Sequence, residues 1–513
     1  INTLAPTNPV SLLYLNSDKG DSKKLMGNLE LDYKIHGFED LRLHMNAGMD
    51  LGSGESNKVR SPYNYDSGTY YYGNKGWNTM DTYNLSLSMY AQYTKEFNKN
   101  HYLDVMGGYE WQHFHKETDY FYCGMVPSTN NDSSIAGKPY NPSENTLYKT
   151  ENYLVSFFGR LNYTLMDKYL FTFTLRNDGS SRFSKDNRWG LFPSAAFAWK
   201  VKEESFLKDV DALNDFKVRL GFGVTGQQEG IGDYTYFASY TPNSQGAYYP
   251  IIGDGVTYRP DAYNKNLTWE KTTTYNAGID LAFFNNRFTA NVDYYYRKTT
   301  DLINTVYVSA GSNFAATVTS NIGSLHNQGV EVAMTWRPVQ TDDWYWELGY
   351  NFTYNQNQID ELLAAQGDDY TIQYGGAAVG VGSNGIKAWR KGESASAFYT
   401  YQQVYDEKGL PIQGEYVDRD GNGIINDDDR YFYKKADADV LMGLTSKVTY
   451  KKWDFGMSFR ASLNNYVYNA VEAGKSNVSA TNIYSGESWH NVTNMVLDKN
   501  WQTVSGIDAL SDY

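Results

Sequence analysis

Apolar and polar side chains alternate residue by residue along most of this chain. From Leu41 the apolar members are Leu41, Leu43, Met45, Ala47, Met49 and Leu51, with Arg42, His44, Asn46, Gly48 and Asp50 between them. The pattern returns as Phe288, Ala290, Val292, Tyr294 and Tyr296 against Thr289, Asn291, Asp293, Tyr295 and Arg297. Successive side chains of a strand point to opposite faces, so a period of two means a strand with one apolar and one wet face. The spacing predicts strands over 24–35, 41–51, 82–97, 101–123, 151–165, 169–177, 188–201, 215–226, 268–284, 287–299, 326–338, 344–356, 439–451 and 453–466. Most of these lengths suit tilted strands that cross a bilayer, which need roughly 9–11 residues.

The connections rotate between short and long. Those at 36–40, 98–100 and 166–168 are short, and those at 52–81, 124–150 and 300–325 are long. Asp178 opens another longer connection, Asn285 and Asn286 make a tight turn, and Lys452 makes another after the very long segment 357–438. One case is intermediate: 202–214, where Glu203 to Asp209 predicts a short helix. Rotation places the short turns on one rim and the long loops on the other, the asymmetry of outer-membrane barrels with short periplasmic turns and long extracellular loops. A sandwich would show Greek-key connections instead, and a propeller a fixed repeat.

The wet faces carry Arg160, Asn162, Thr164, Thr172, Thr174, Arg176, Lys217 and Arg219. Left unpaired in a dry core, such groups would cost a few kcal/mol each; facing a water-filled lumen they are solvated. The expected fold is therefore all-β, a transmembrane antiparallel β-barrel of about 14 strands with membrane lipid against its apolar face.

Composition agrees. The mean hydropathy is −0.60, and no run approaches the ~18 consecutive apolar residues of a membrane-spanning helix. Tyr 47, Phe 24 and Trp 12 supply enough aromatics for girdles at two bilayer interfaces, although aromatics suit strands and sandwich cores in general. A net charge of −14 argues against nucleic acid as a partner, since phosphate binding needs clustered Lys and Arg. Cys123 is the one cysteine, a lone structural thiol with no internal disulfide available. The chain starts at Ile1 and ends at Tyr513 in a polar stretch, as expected of a piece of a longer protein.

The run FFGRLNYTLMDKYLFTFTLRNDGSSRF (157–183), followed by RWGLFPSAAFAWKV (188–201) and FKVRLGFGVTGQQ (216–228), resembles the SusC/RagA family of TonB-linked outer-membrane transporters of Bacteroidetes. NLTWEKTTTYNAGIDLAFFNNR (266–287), DYYYRKTTDLI (293–303) and NIGSLHNQGVEV (321–332) match it as well. The resemblance implies a 22-stranded barrel with an N-terminal plug and a TonB-contacting segment. Residues 1–513 would be part of that barrel, with about five strands lacking in front and three behind. It implies a SusD-like surface lipoprotein as lid and coupling through the plug region to the TonB–ExbB–ExbD system. The expected function is active import of nutrient oligosaccharides across the outer membrane, with no catalytic constellation. Import of peptides by the same mechanism is the alternative, and a non-transporting adhesin or surface-binding barrel is the alternative of another class.

The sharpest local motif lies at 418–429, inside the long extracellular segment 360–438. Asp418, Asp420 and Asn422 stand at positions 1, 3 and 5 of a calcium loop, Gly423 at 6, and the carbonyl of Ile424 at 7. Ile425 is the expected apolar anchor, and Asp429 takes position 12, where an EF-hand has Glu, as in a dockerin-like loop. An acidic turn that binds nothing is the plainer account, but the fixed spacing favours structural calcium.

Aromatic clusters Tyr70–Tyr71–Tyr72 with Trp77, and Tyr370, Tyr374, Trp389, Tyr399 and Tyr401, have the chemistry to stack on sugar rings. Packing within the loops, or against a lid protein, is the simpler role. Asp360, Glu361 and Glu393 lie in no pocket pattern and are not read as glycosidase carboxylates. The seven His residues show no metal-ligand spacing, and His44 is read as a solvated lumen residue.

Overall fold

A computed structural model describes residues 9–61, 74–125, 139–140, 147–242, 258–307, 317–363, 367–377, 385–407, 409, 411–471, 484–485 and 488–489. Fourteen wall strands run through it: β1 (Asn16–Lys34), β2 (Leu41–Arg60), β3 (Asn74–Asn98), β4 (His101–Met125), β5 (Tyr148–Leu165), β6 (Tyr169–Ser180) and β7 (Trp189–Lys200). They continue as β8 (Leu213–Gln227), β9 (Glu270–Phe283), β10 (Phe288–Thr300), β11 (Ser324–Gln340), β12 (Trp344–Glu361), β13 (Val440–Tyr450) and β14 (Trp453–Leu463). Each pairs antiparallel with its neighbour in chain order. Among the described residues β1 and β14 pair on one side only, so this sheet is open.

Every strand expected from the alternation is present, and several are longer than a bilayer requires. β3 and β4 each have 25 residues. At ~3.3 Å per residue that is roughly 80 Å, far beyond what a ~30 Å hydrocarbon layer needs even with strong tilt. Their ends therefore project past the membrane on the long-loop side.

Register turns the alternation into two chemically distinct faces. Val105, Leu161, Phe173, Ala195, Phe222 and Tyr275 stand side by side across six strands. One residue further along, Met106, Arg160, Thr174, Ser194, Gly223 and Thr274 form the row on the opposite face. The apolar row is open rather than packed, with Phe173 49% and Tyr275 51% exposed. A contiguous apolar surface of this extent suits lipid, not water. Aromatic pairs edge it: Tyr169–Trp199 and Trp344–Tyr450 near the short turns, Phe157–Trp189 toward the long loops.

The short turns have the backbone that tight hairpins need. Met166 and Asp167 take φ of 56° and 57°, whose local twist matches the flanking strands. At the next such turn Asn214 Oδ1 accepts the amides of Asn285 (2.6 Å) and Asn286 (3.3 Å). The helix expected over Glu203–Asp209 is not formed: a 3-10 turn covers Val201–Glu203, and non-helical turns follow. Lys202 folds over the turns: its Nζ donates to the carbonyls of Leu207 (3.0 Å), Lys208 (3.0 Å) and Val210 (2.8 Å). The Leu207 and Val210 amides donate to the carbonyls of Glu204 (3.0 Å) and Leu207 (3.1 Å), three residues back, so the segment closes in successive tight turns.

Dry cores occur only at the long-loop end among the described residues. One joins Phe183, Phe192, Ile231, Leu267 and Trp269; a second joins Val306, Ile322, Ile359 and Leu362; a small third joins Ile386 and Phe398. Residues following β12 build a four-stranded sheet from Ile372–Ala377, Gly385–Trp389, Ala397–Thr400 and Tyr431–Lys435. A hairpin of Gln403–Tyr405 and Pro411–Tyr416 lies between its last two strands in sequence.

Candidate functional site

The lumen face is organised, not merely wet. Arg219 clamps Asp280 through Nε (3.0 Å to Oδ2) and Nη2 (2.8 Å to Oδ1), and the same Nη2 donates to Asp293 Oδ2 at 2.9 Å. Lys217 Nζ adds a contact to Asp280 at 2.8 Å. A second network centres on Arg176, which donates to Glu110 (2.8 Å), Ser156 (2.8 Å) and Asp178 (2.7 Å). Arg176, Lys217 and Arg219 are thus ion-paired, where the alternation alone suggested simple solvation. The correction has a physical cause: register brings opposite charges from neighbouring strands within reach, and cross-strand pairs hold them there. His44 departs from expectation in the same way. Its ring stacks on Tyr90 at 4.6 Å and lies 3.4 Å from Asp32, with only 11% of its side chain exposed.

In the long-loop region, residues 418–429 wrap around their own carboxylates. Asp418 accepts the amides of Gly421 (2.7 Å) and Gly423 (2.8 Å), and Asp420 accepts that of Asn422 (3.0 Å). Asn422 Oδ1 accepts the amide of Ile424 at 2.7 Å. Gly421 and Gly423 have φ of 73° and 78°, the left-handed values that let the chain turn inward. Asp429 is fully buried and accepts the amides of Arg419 (2.7 Å) and Asn426 (2.8 Å). The Asn426 amide, followed by those of Arg419 and Asp420, holds its carboxyl below the usual carboxylate range.

Oxygens of Asp418, Asp420 and Asp429 lie within 4.8 Å of one another. Three carboxylates so close repel, and a divalent cation relieves that cost. The donor set is all hard oxygen, which fits calcium or magnesium and not zinc. Ile425 does not serve as the expected anchor, being 42% exposed. The loop is fastened instead by Arg430, which pairs with Asp427 at 2.9 Å and lies over the Tyr401 ring at 5.1 Å.

Of the aromatics expected to be able to stack on sugar rings, Tyr370, Tyr374 and Trp389 come together. Tyr370 and Trp389 pack on the cluster of Ile322, Ile359 and Leu362, and Tyr374 packs on Trp389 with ring centroids 5.6 Å apart. Trp389 Nε1 donates to the Ala395 carbonyl at 3.0 Å, and the Tyr374 hydroxyl donates to the same oxygen. Trp77 lies apart, opposite Phe121 on the strand face that carries Tyr83 and Leu85, the outer one. Tyr70, Tyr71 and Tyr72 lie outside the described residues.

Two further groups escaped the sequence reading: Glu30, Asp32 and His44, and His113, His115 and Glu151. The second carried a usable signal. His113 and His115 are two apart on a strand, a spacing that puts both rings on one face, so the histidines are not all without ligand spacing.

Residues 2–470 match the family model described as TonB dependent receptor-like, beta-barrel. The chain is 47% identical over 496 residues to the TonB-dependent receptor SusC of Bacteroides thetaiotaomicron, covering 96% of this chain and 48% of that protein. A TonB-dependent receptor of Formosa agariphila is 32% identical over 426 residues, 78% of this chain and 41% of the relative. Among solved structures, the RagAB peptide importer in its open-open state superposes with a TM-score of 0.76 at 23% identity, covering 91% of this chain and 50% of that one. The chain spans about half the length of the curated relatives it matches.

Proposed function

Because this chain belongs to the TonB-dependent receptor-like β-barrel family, in its SusC/RagA branch, and so forms outer-membrane barrel wall, we propose that it serves TonB-coupled import of nutrient oligosaccharides. The family is one of transport receptors and not of enzymes. The observation that carries the proposal is the 47% identity to SusC along 96% of the chain. The RagAB peptide importer shares the fold at 23% identity, which makes peptide import the second reading.

Several features support a transport role. The lumen face is lined with paired arginines and carboxylates, a polar wall past which hydroxyl-rich solutes travel without burying an apolar surface. The long-loop end carries its own dry cores, and so offers a firm platform on which a SusD-like lipoprotein docks. In the loop 418–429, Asp418, Asp420, Asn422, Asp429 and the Ile424 carbonyl hold a structural calcium that stiffens this platform and takes no part in chemistry.

The test is uptake by cells carrying or lacking the gene. Deletion is expected to abolish growth on oligosaccharides as sole carbon source, to leave growth on the monosaccharide unchanged, and to be mimicked by loss of TonB. Loss of growth on peptides with oligosaccharide use intact would establish the second reading. Surface binding that persists without any uptake defect would overturn transport altogether.

A further inference from the structure

His113 and His115 rise from β4, and Glu151 stands on β5 directly opposite His115. All three belong to the outer face of the wall, above Tyr109 and Trp111 on the same side of the same strand. Both rings converge on one oxygen: Glu151 Oε2 is 3.3 Å from His113 Nε2 and 3.8 Å from His115 Nδ1. A single ion pair requires one imidazole; two rings aimed at one carboxylate oxygen make a different arrangement. Two ligands held ~2.0–2.1 Å from a tetrahedral metal stand roughly 3.3–3.4 Å apart. The three donors, all within 4.8 Å of one another, are therefore close to metal-binding separation before any metal is present.

We propose that His113, His115 and Glu151 form a three-ligand site for a borderline divalent cation of the zinc or copper class, on the outside of the barrel above the lipid boundary. Two imidazoles and one carboxylate favour these metals over calcium and magnesium, which prefer all-oxygen sets. The neighbours fix the ligands as supporting residues do in metal sites. Tyr153 stacks on His113 at 4.3 Å with the rings 1° from parallel. With Nδ1 of His115 on the metal, its Nε2 faces Glu117 Oε2 at 3.8 Å, and Lys149 holds Glu117 at 2.7 Å. Side chains of His113 and His115 are 19% and 21% exposed, whereas Glu151 is 46% exposed. The carboxylate side is thus the open one, where water or another oxygen donor completes the coordination. The site lies away from the lumen and from the loop 418–429, so it is independent of what the barrel carries.

The experiment uses the full-length protein in detergent, stripped with chelator and titrated with Zn2+ by calorimetry. One site is expected that excess Ca2+ does not displace. His113→Ala with His115→Ala is expected to abolish it, and Glu151→Gln to weaken it about 10-fold or more. His101→Ala, on the same face near the short turns, serves as the control and leaves the site intact. Retention of the shift in gel mobility on boiling establishes that each variant barrel is folded. With Cu2+ in place of Zn2+, the electron paramagnetic resonance spectrum is expected to show coupling to two nitrogens. Absence of a zinc site in the wild type, its survival in the double variant, or coupling to a single nitrogen would overturn the proposal.

Discussion

Arg219 and Asp293 stand two strands apart and meet across Gly278, Nη2 to Oδ2 at 2.9 Å. Gly278 is the register partner of both, and its missing side chain is what lets them touch. A Cβ placed there would come within 2.2 Å of Asp293 Oδ1 and 2.8 Å of Arg219 Nη2. The glycine is thus a condition of the lumen charge network.

Gly278→Ala is therefore expected to push Asp293 Oδ1 and Arg219 Nη2 apart, break the bridge and destabilise the wall by about 1 kcal/mol, the order of a solvent-accessible ion pair. Gly221→Ala is the matched control on the same lumen face, where the nearest atom is Asn276 Cβ at an ordinary 3.8 Å. Urea unfolding of the two variants in detergent reads the difference. Equal midpoints would show that the bridge does not depend on the vacancy at 278.

At the short-turn rim, Glu204 is held by the Tyr169 hydroxyl (2.6 Å), the Lys168 ammonium (3.0 Å) and the Trp199 indole (3.1 Å). Led by the Tyr169 hydrogen bond, these contacts bring its carboxyl down from an ordinary 4.5 to about 2. A carboxylate depressed on folding stabilises the fold above its unfolded pKa, and that gain is lost as pH falls toward the folded value. The Tm advantage of the wild type over Glu204→Gln should be constant above about pH 5 and should close between 4.5 and about 2. A gap that persists at the acid end would assign Glu204 a role that does not involve its charge.

The wall was legible in the sequence because lipid enforces what a soluble core only encourages. Each strand must present an unbroken apolar row over the length that crosses the membrane, as Leu41 to Leu51 do within Leu41–Arg60, and that row is local information. The lumen networks were not legible, since Arg219 finds Asp280 and Asp293 only once the register of three strands is set. The same holds for Glu151, 36 positions beyond His115 in sequence yet directly opposite it in space. The loop at 418–429 was readable because its ligands lie within one turn-rich stretch, but the exposure of Ile425 was not. Burial there depends on packing by Arg430, Tyr399 and Tyr401, which no spacing encodes.

Trp389 separates packing from ligand contact. Its indole leans on Tyr374 at 5.6 Å and on the Ile322–Ile359 cluster, while Nε1 is spent on Ala395. Trp389→Ala is expected to cost the loop region about 3 kcal/mol, the low end for truncating a packed aromatic. Hydrogen exchange across 385–400 should accelerate accordingly. Weakened oligosaccharide binding with unchanged exchange would instead place Trp389 in contact with the solute.

Calcium and Asp429 are expected to act on the same loop in separable ways. Asp418 and Asp420 take amides of their own turn, but Asp429 spans it, joining Arg419 to Asn426 from a fully buried position. Removing Asp418 and Asp420 leaves that clasp in place and removes two of the three carboxylates of the proposed calcium loop. Asp418→Ala with Asp420→Ala should therefore abolish the effect of calcium on proteolysis of the segment 401–437, with cleavage in chelator close to that of the wild type in chelator. Asp429→Ala leaves the part-buried amides of Arg419 and Asn426 without their acceptor, at about 1 kcal/mol each. It should accelerate cleavage in chelator as well as in calcium. Limited proteolysis of the three proteins, with and without calcium, distinguishes the two roles. If chelation leaves the wild-type cleavage rate unchanged, the loop is a turn held by its own amides and the cation has no part in it.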